Sequence, residues 1–522
     1  MMNAPTSIVT RSAVMASLIL LALLLHSNAL PLRPIRGIRQ TLRNRVYRPV
    51  KQILWPNTLS DLSRVEPLPP GPLGCPIRGL NTRLSSPSFG PGLLFYQVSK
   101  KVKHARVFKI FSQRKGIAIV SGYQNTKTVL SQEFSAVVPQ SVPFTAKIVG
   151  THSLRCADNK QRHGELRQLV GAAVQSNRVR DMVPALQHIA ESVLEQQSST
   201  MQMEDVCTSF ALDVAWRLII GLQDMNQTSS FRYHVKAWLK GIYPGANDDW
   251  QTSRQFLVEQ IEKKFQYLEQ NGPDESTVSG MLFATEENER KATKEEIIDN
   301  ILLLILAGTE TSAATLTNCM LLVGLRPDAW QKVVQEQQQW IRKHGPQLSY
   351  EALENHCRYT DGVVRESLRI KPTTGGSMRG TASTIVVDGY QIPAGWGITY
   401  DRYLTHLLDP ISREKDDLHM DVRQGFRPER WLDEATRPGQ EFLPFGVGPR
   451  YCLGAELAMC EMKVFLSVLA RQMPTFNLIY PAVDERIRWR QKAIIPIPEK
   501  GVLIRQSNLS SALTAQEKVT SL

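Results

Sequence analysis

Phe445–Gly454 reads FGVGPRYCLG, a glycine-rich loop that ends in a cysteine and runs straight into a helical stretch beginning near Ala455. Gly448 and Gly454 carry no side chain, so the loop is predicted to lie flat against a planar ligand that a Cβ would hold away. Cys452 then faces a metal. The amide end of the following helix sits beside its sulfur, and both that dipole and a metal favour thiolate over thiol. Leu457, Cys460, Val464 and Val468 fall on one face of this helix, which makes Cys460 a core residue rather than a second ligand.

The other cysteines, at 75, 156, 207, 319 and 357, are scattered. Their odd total and wide spacing imply neither a disulfide framework nor a zinc site. Upstream, Thr293 and Glu296 form a capping box that opens one long apolar helix, predicted to run to Val323 before Gly324. Asn300, Glu310 and Asn318 interrupt its apolar character, so it reads as a buried central helix rather than a membrane span. Midway along it, Ala307–Ser312 is AGTETS. Gly308 removes bulk, and Glu310 with Thr311 supplies a proton-handling pair. Further on, Glu366 and Arg369 (ESLR) share a helix face, and FRPERW at 426–431 follows about sixty residues later.

Together these stretches resemble the cytochrome P450 family from about residue 66 to about residue 505. The resemblance implies a mainly α fold with small β-sheets and a long central helix over a haem b (iron protoporphyrin IX). Cys452 becomes the axial thiolate, Arg450 a haem-propionate partner, Phe445 a residue packed beside the sulfur, and Gly446 and Gly454 cofactor contacts. Thiolate ligation pushes electron density onto iron, which suits oxygen activation. Thr311 is implied to steady the dioxygen substrate and Glu310 to relay protons. Arg430 is implied to close a structural network with Glu366 and Arg369. His163 and Arg167 (HGELR), Arg379 (GSMRG) and His406 (LTHLLDP) match further propionate positions of the family. Phe144, Ile148, Leu304 and Ala307 are expected to line the substrate pocket.

Two departures from the family pattern stand out. Residues 407–425 form a longer, more charged link than usual, expected to alter the surface near the redox partner. The segment after Arg369 (IKPTTGGSMRG) is small and polar where bulkier apolar residues are common. The resemblance is greatest to the branch containing retinoic-acid, abscisic-acid and sterol-type hydroxylases, which implies a lipophilic, isoprenoid-like substrate, O2, and an NADPH-dependent reductase or a ferredoxin as electron donor. Two rivals remain: a haem enzyme that rearranges hydroperoxides, and a haem sensor or carrier without turnover.

With 522 residues, 42% of them apolar, the chain can bury a large core. Its formal charge of +13 is concentrated at one end: the first 60 residues hold eight Arg and Lys and no acid. The remainder is only mildly basic and lacks interleaved aromatic and basic residues, which argues against nucleic-acid binding. Ala13–Leu25 is an apolar run of 13 residues, nearer the about 7 to 15 of a signal core than the roughly 20 of a spanning helix. Residues 1–30 are therefore expected to be a signal sequence or membrane anchor and 31–65 a basic linker or transit segment. The endoplasmic reticulum membrane is the expected location, with the plastid as the alternative. Glu66–Gly79 reads as a stiff Pro-rich hinge, Arg106–Val120 as a hairpin, 161–341 as chiefly helical, Thr384–Tyr400 as strands around an Asp388-Gly389 turn, and 506–522 as a polar tail. Trp238, Leu239, Ile242 and Tyr243 form an aromatic-apolar stripe suited either to dipping into a membrane or to the core.

Overall fold

The computed structural model describes residues 60–71 and 91–507, apart from short stretches at 113–114, 141–142, 223, 225–227, 243–248, 273, 285–291, 416–417, 483–484, 486 and 493–494. The expected leader, most of the basic segment, most of the hinge and nearly all of the tail lie outside the described residues.

The chain divides into two compact units. The first holds the described residues up to Ser121, with Ser135–Pro139 and Met378–Tyr400. Its sheet has the order Val107–Ser112, Lys115–Val120, Gly397–Asp401, Gly376–Thr381, Val137–Pro139. The expected hairpin is there, with Val107 opposite Val120 and Ser112 opposite Lys115. Alternation of apolar residues places Phe108, Ile110 and Ile119 in the core. The second predicted turn is also present: Ile385–Val387 pairs with Tyr390–Ile392 across Asp388 and Gly389, both at positive φ. Ahead of Glu66, Asp61 is already engaged, its amide donating to Gln391 Oε1 at 2.7 Å.

The second unit is a helical body around Lys294–Leu325, the central helix. Both halves of the predicted capping box form: the Glu296 amide donates to Thr293 Oγ1, and Glu296 Oε2 accepts from the Thr293 amide. Gly324 does not end the helix. Its missing side chain instead admits Leu478, 3.3 Å from where a Cβ would stand. The helix stops at Arg326, ahead of Pro327, because the residue before a proline is driven out of helical backbone. Every residue from Ser312 to Gly324 is buried, and 61% of its most apolar window lies inside the protein, so a helix able by length and composition to cross a membrane is here a core helix. Packed against it are Met203–Val214, Arg358–Ile370 and Ala455–Gln472.

One carboxylate organises the amino-terminal half of this helix. Asp299 accepts from the His152 amide (3.0 Å) and from Arg254 Nη2 (3.3 Å). A Cβ on Gly150 would fall 1.9 Å from its Oδ1, so only glycine fits there. The Ile148 carbonyl accepts from both Trp238 Nε1 (3.1 Å) and Arg254 Nε (3.0 Å). This settles the aromatic stripe: Trp238 is 0% exposed and Leu239 is buried, with the indole N–H satisfied internally, so these two belong to the core and do not dip into a membrane. Tyr243 lies outside the described residues.

Candidate functional site: the cysteine loop and the central helix

The loop is folded by its own backbone. The Gly446 amide donates to the Leu443 carbonyl (3.1 Å), Tyr451 to Gly448 (3.0 Å) and Cys452 back to Phe445 (3.0 Å). Gly446 (φ 79°) and Gly448 (φ 78°) take left-handed backbone that a side chain would strain. The two glycines singled out by sequence have different tasks. Gly448 is required by its turn and by Leu130, whose Cβ lies 3.1 Å from where its own would be. Gly454 has ordinary backbone (φ −86°) and open space on its Cβ side, so it alone keeps an approach clear.

The helix Ala455–Gln472 begins where predicted. Cys452 is exposed, yet desolvation raises its thiol pKa, offset in part by the Gly454 amide and the Arg402 and Arg167 guanidiniums. Cys207, Cys319, Cys357 and Cys460 are buried, and burial pushes their thiols up, Cys319 and Cys460 to about 12. They are inert core thiols. Among the described residues no group of three or more His, Cys, Asp or Glu could hold a metal ion. A metal at Cys452 must therefore bring most of its own ligands, as a porphyrin does, and one thiolate with cations nearby fits that group.

The expected cofactor cations are distributed less simply. Arg167 Nη1 donates to the Tyr451 carbonyl at 2.8 Å, so this arginine is fastened to the residue before Cys452. Arg450 donates through Nε to Glu133 (2.6 Å) and through Nη2 to the Ala157 carbonyl (2.6 Å). Its charge is already matched by a carboxylate whose side chain is 0% exposed. Phe134 lies between Arg450, 5.1 Å from its ring, and the buried His163, also 5.1 Å away.

His406 departs from expectation. One ring nitrogen, Nδ1, lies 2.9 Å from the Arg369 carbonyl, and Nε2 accepts from the Leu443 amide at 3.0 Å. Both nitrogens serve the main chain and none is left for a propionate; burial pushes its pKa down to about 3. Arg379 belongs to the first unit, where it is buried, donates to the Met378 carbonyl and lies 5.8 Å from the Tyr400 ring.

Burial of the central helix breaks in its middle. Leu303, Leu304, Leu306, Gly308, Glu310 and Thr311 are half-buried and Ala307 is exposed, although the following turns are wholly enclosed. Thr311 Oγ1 donates to the Ala307 carbonyl (2.5 Å), and Thr315 Oγ1 donates to the Thr311 carbonyl (2.8 Å). Thr315 also meets Thr373 at 2.5 Å, which brings the small polar segment after Arg369 against this helix. The next residue, Ser312, donates to Glu461 Oε2 (2.9 Å) on the helix that starts after Cys452. Burial raises the Glu461 carboxyl to about 7. Of the expected pocket residues, Leu304 and Ala307 are accessible, whereas Ile148 is 0% exposed and packs against Gly241. The side chain of Phe144 lies outside the described residues.

Glu366 and Arg369 are fully buried and joined by two hydrogen bonds of 2.8 Å. Arg430 Nε reaches Glu366 at 3.4 Å, and the Arg427 amide and Trp431 Nε1 also donate to it. Desolvation pushes the Glu366 carboxyl up, but the charge and hydrogen bonds of Arg369, with Arg430 and the Arg427 amide, outweigh it and hold the pKa below the usual value. Sequence reading missed the other side of Arg369. Its Nη1 meets His419 Nδ1 (2.9 Å) and Met420 Sδ (3.2 Å), and Nη2 donates to the His419 carbonyl. Hence the charged link 407–425 is not only surface: it threads His419, 1% exposed, into the network.

Residues 223–504 match the family model described as Cytochrome P450. Cytochrome P450 26A1 of Danio rerio is 25% identical, covering 78% of this chain and 84% of the relative. Abscisic acid 8'-hydroxylase 2 of Arabidopsis thaliana is 25% identical over 84% of this chain and 91% of its own. The structure of retinoic acid bound cyanobacterial CYP120A1 superposes with a TM-score of 0.69 at 25% identity, over 85% of this chain and all of that one.

Proposed function

Because the chain belongs to the cytochrome P450 family and is thereby a haem monooxygenase, we propose that it oxygenates a lipophilic, isoprenoid-like substrate with electrons from a protein donor. When bound, the haem supplies oxygen activation and insertion of one oxygen atom into a C–H bond. The chain's own residues position, shield and move protons. Cys452 is the thiolate ligand. Arg167, fastened to the Tyr451 carbonyl, and Arg450 would hold the haem carboxylates. With its own proton committed to the Ala307 carbonyl, Thr311 Oγ1 is an acceptor on the accessible face of the central helix, and Glu310 beside it is the proton-handling carboxyl.

The observation that carries this reading is the pairing of an accessible, desolvated Cys452 with the only interrupted stretch in the burial of the central helix, Leu303 to Thr311, among the described residues. An isoprenoid-like substrate is supported by the relatives, one named for abscisic acid and one solved with retinoic acid, and by the apolar Leu304 and Ala307. Retention of the Glu310–Thr311 pair speaks against a hydroperoxide-rearranging enzyme. Residues 1–65 address the enzyme to the endoplasmic reticulum membrane, with the plastid as the alternative.

The test is the spectrum of the reduced, carbon-monoxide-bound protein, followed by NADPH consumption and product formation against a lipid library with a reductase or a ferredoxin. A thiolate-type spectrum with donor-dependent product supports the proposal; the same spectrum without turnover points to a sensor or carrier. A fusion of residues 1–65 to a fluorescent protein reads the address.

A further inference from the structure

Arg402 had no role in the sequence reading, yet it stands at the junction of the cysteine loop and the segment under the central helix. It is the first residue of the helix Arg402–Leu407 and follows the strand Gly397–Asp401. Its amide donates to the Gly375 carbonyl at 2.9 Å. Nη1 bonds both the carbonyl of Thr374, at 3.0 Å, and its hydroxyl. Nη2 lies 3.3 Å from the point where a Cβ on Gly446 would stand, so the guanidinium rests on the glycine next to Phe445. Thr374 follows Thr373, which is bonded to Thr315 of the central helix. One guanidinium thus ties the segment that touches the central helix to the loop that presents Cys452.

Its charge sits at the same place: Nη2, the end of the guanidinium, is the atom that rests on Gly446, and the carbonyl of the adjoining Phe445 accepts the Cys452 amide at 3.0 Å.

We propose that Arg402 is a cofactor-positioning residue, wedged between Thr374 and Gly446, which fixes the cysteine loop against the haem and contributes positive charge there. The inference rests on the haem-thiolate reading. A fixed cation beside an electron-accepting centre favours the reduced form, and a charge-assisted contact holds more firmly than a neutral one.

The experiment uses the full-chain holoprotein and two variants. Arg402→Gln keeps a polar side chain but removes the charge; Arg402→Lys keeps the charge and loses the fork. Readouts are the reduction midpoint potential and the rate of haem transfer to apomyoglobin, beside the carbon-monoxide spectrum. Arg402→Gln is expected to have a more negative midpoint and to lose haem several-fold faster, while Arg402→Lys keeps a midpoint close to that of the parent. A Gln variant with the parent's midpoint and haem-loss rate overturns the proposal. So does a Lys variant whose midpoint is displaced to more negative potential than the parent's, a reading that decides the matter even where Arg402→Gln yields no holoprotein. A parent protein without a thiolate-type spectrum overturns the reading of Cys452, and this inference with it.

Discussion

The Nε2 atom of His406 accepts the amide proton of Leu443 at 3.0 Å, while its Nδ1 meets the carbonyl of Arg369. One imidazole therefore joins the buried ion network to the entry of the cysteine loop, two residues before Phe445. Because Nε2 must accept, the ring is neutral with its proton on Nδ1, and protonation would break the contact to Leu443.

That arrangement has a pH signature. The folded pKa, about 3, is depressed below the ordinary value of 6.5, so between these limits the unfolded chain binds a proton that the folded protein refuses. Stability falls as pH drops through that window, by up to about 1.4 kcal/mol per pH unit from this residue. Denaturant midpoints of the parent and of His406→Gln, compared from pH 7 to 4, should converge as pH falls. Parallel curves would contradict the assignment.

Glu461 has the opposite sign. Its folded pKa, about 7, lies above the ordinary 4.5, so the folded protein keeps a proton that the unfolded chain gives up, and stability falls as pH rises between these values. Glu461→Gln keeps an acceptor for Ser312 without the ionisable group. The variant should gain in melting temperature over the parent at pH 8 and show little gain at pH 4.5, measured by thermal scans of matched samples.

Removing Glu366 leaves Arg369 and Arg430 buried without their carboxylate, a loss of about 3–5 kcal/mol for breaking a buried pair. Purified Glu366→Gln and Arg369→Leu should lack a haem absorption band. His419→Ala removes a neutral partner of Arg369 and should cost about 1–2 kcal/mol while retaining haem, as read from denaturant unfolding and the absorbance ratio.

Thr311→Ala deletes the acceptor on the accessible face of the central helix and should uncouple NADPH consumption from product by several-fold, while Thr311→Ser, which keeps the hydroxyl, recovers coupling. Equal coupling in parent and Ala variant would remove Thr311 from the proton path.

The two loop glycines should separate in the same way. Gly448→Ala must hold positive φ and crowd Leu130, a loss of about 1–2 kcal/mol in the apoprotein. Gly454→Ala, with ordinary φ and open space, should leave apoprotein stability unchanged and weaken haem uptake, measured by haemin titration.

What the sequence made legible was local: residue types at fixed offsets in FGVGPRYCLG, the Thr293–Glu296 capping box, the Glu366–Arg369 spacing and the alternation of Val107–Val120. Each follows from turn chemistry or helical and strand periodicity within a few residues. Glu133 beside Arg450, His419 beside Arg369 and Arg402 on Gly446 were not legible, because each pair is brought together by tertiary folding across tens to hundreds of residues and no periodicity encodes it. Nor could spacing tell that Trp238 would turn inward to the Ile148 carbonyl. Cys452 and Cys460 look alike as letters; only burial separates the accessible thiol from the inert one.

The link between His406 and Phe426 places limits on grafting this chain onto its relatives. A chimera that cut residues out of 407–425 would extract a histidine plug from behind the most deeply enclosed arginine among the described residues. Swap junctions therefore belong outside this stretch, which must travel with the helix of Glu366 and Arg369 as one transferable piece.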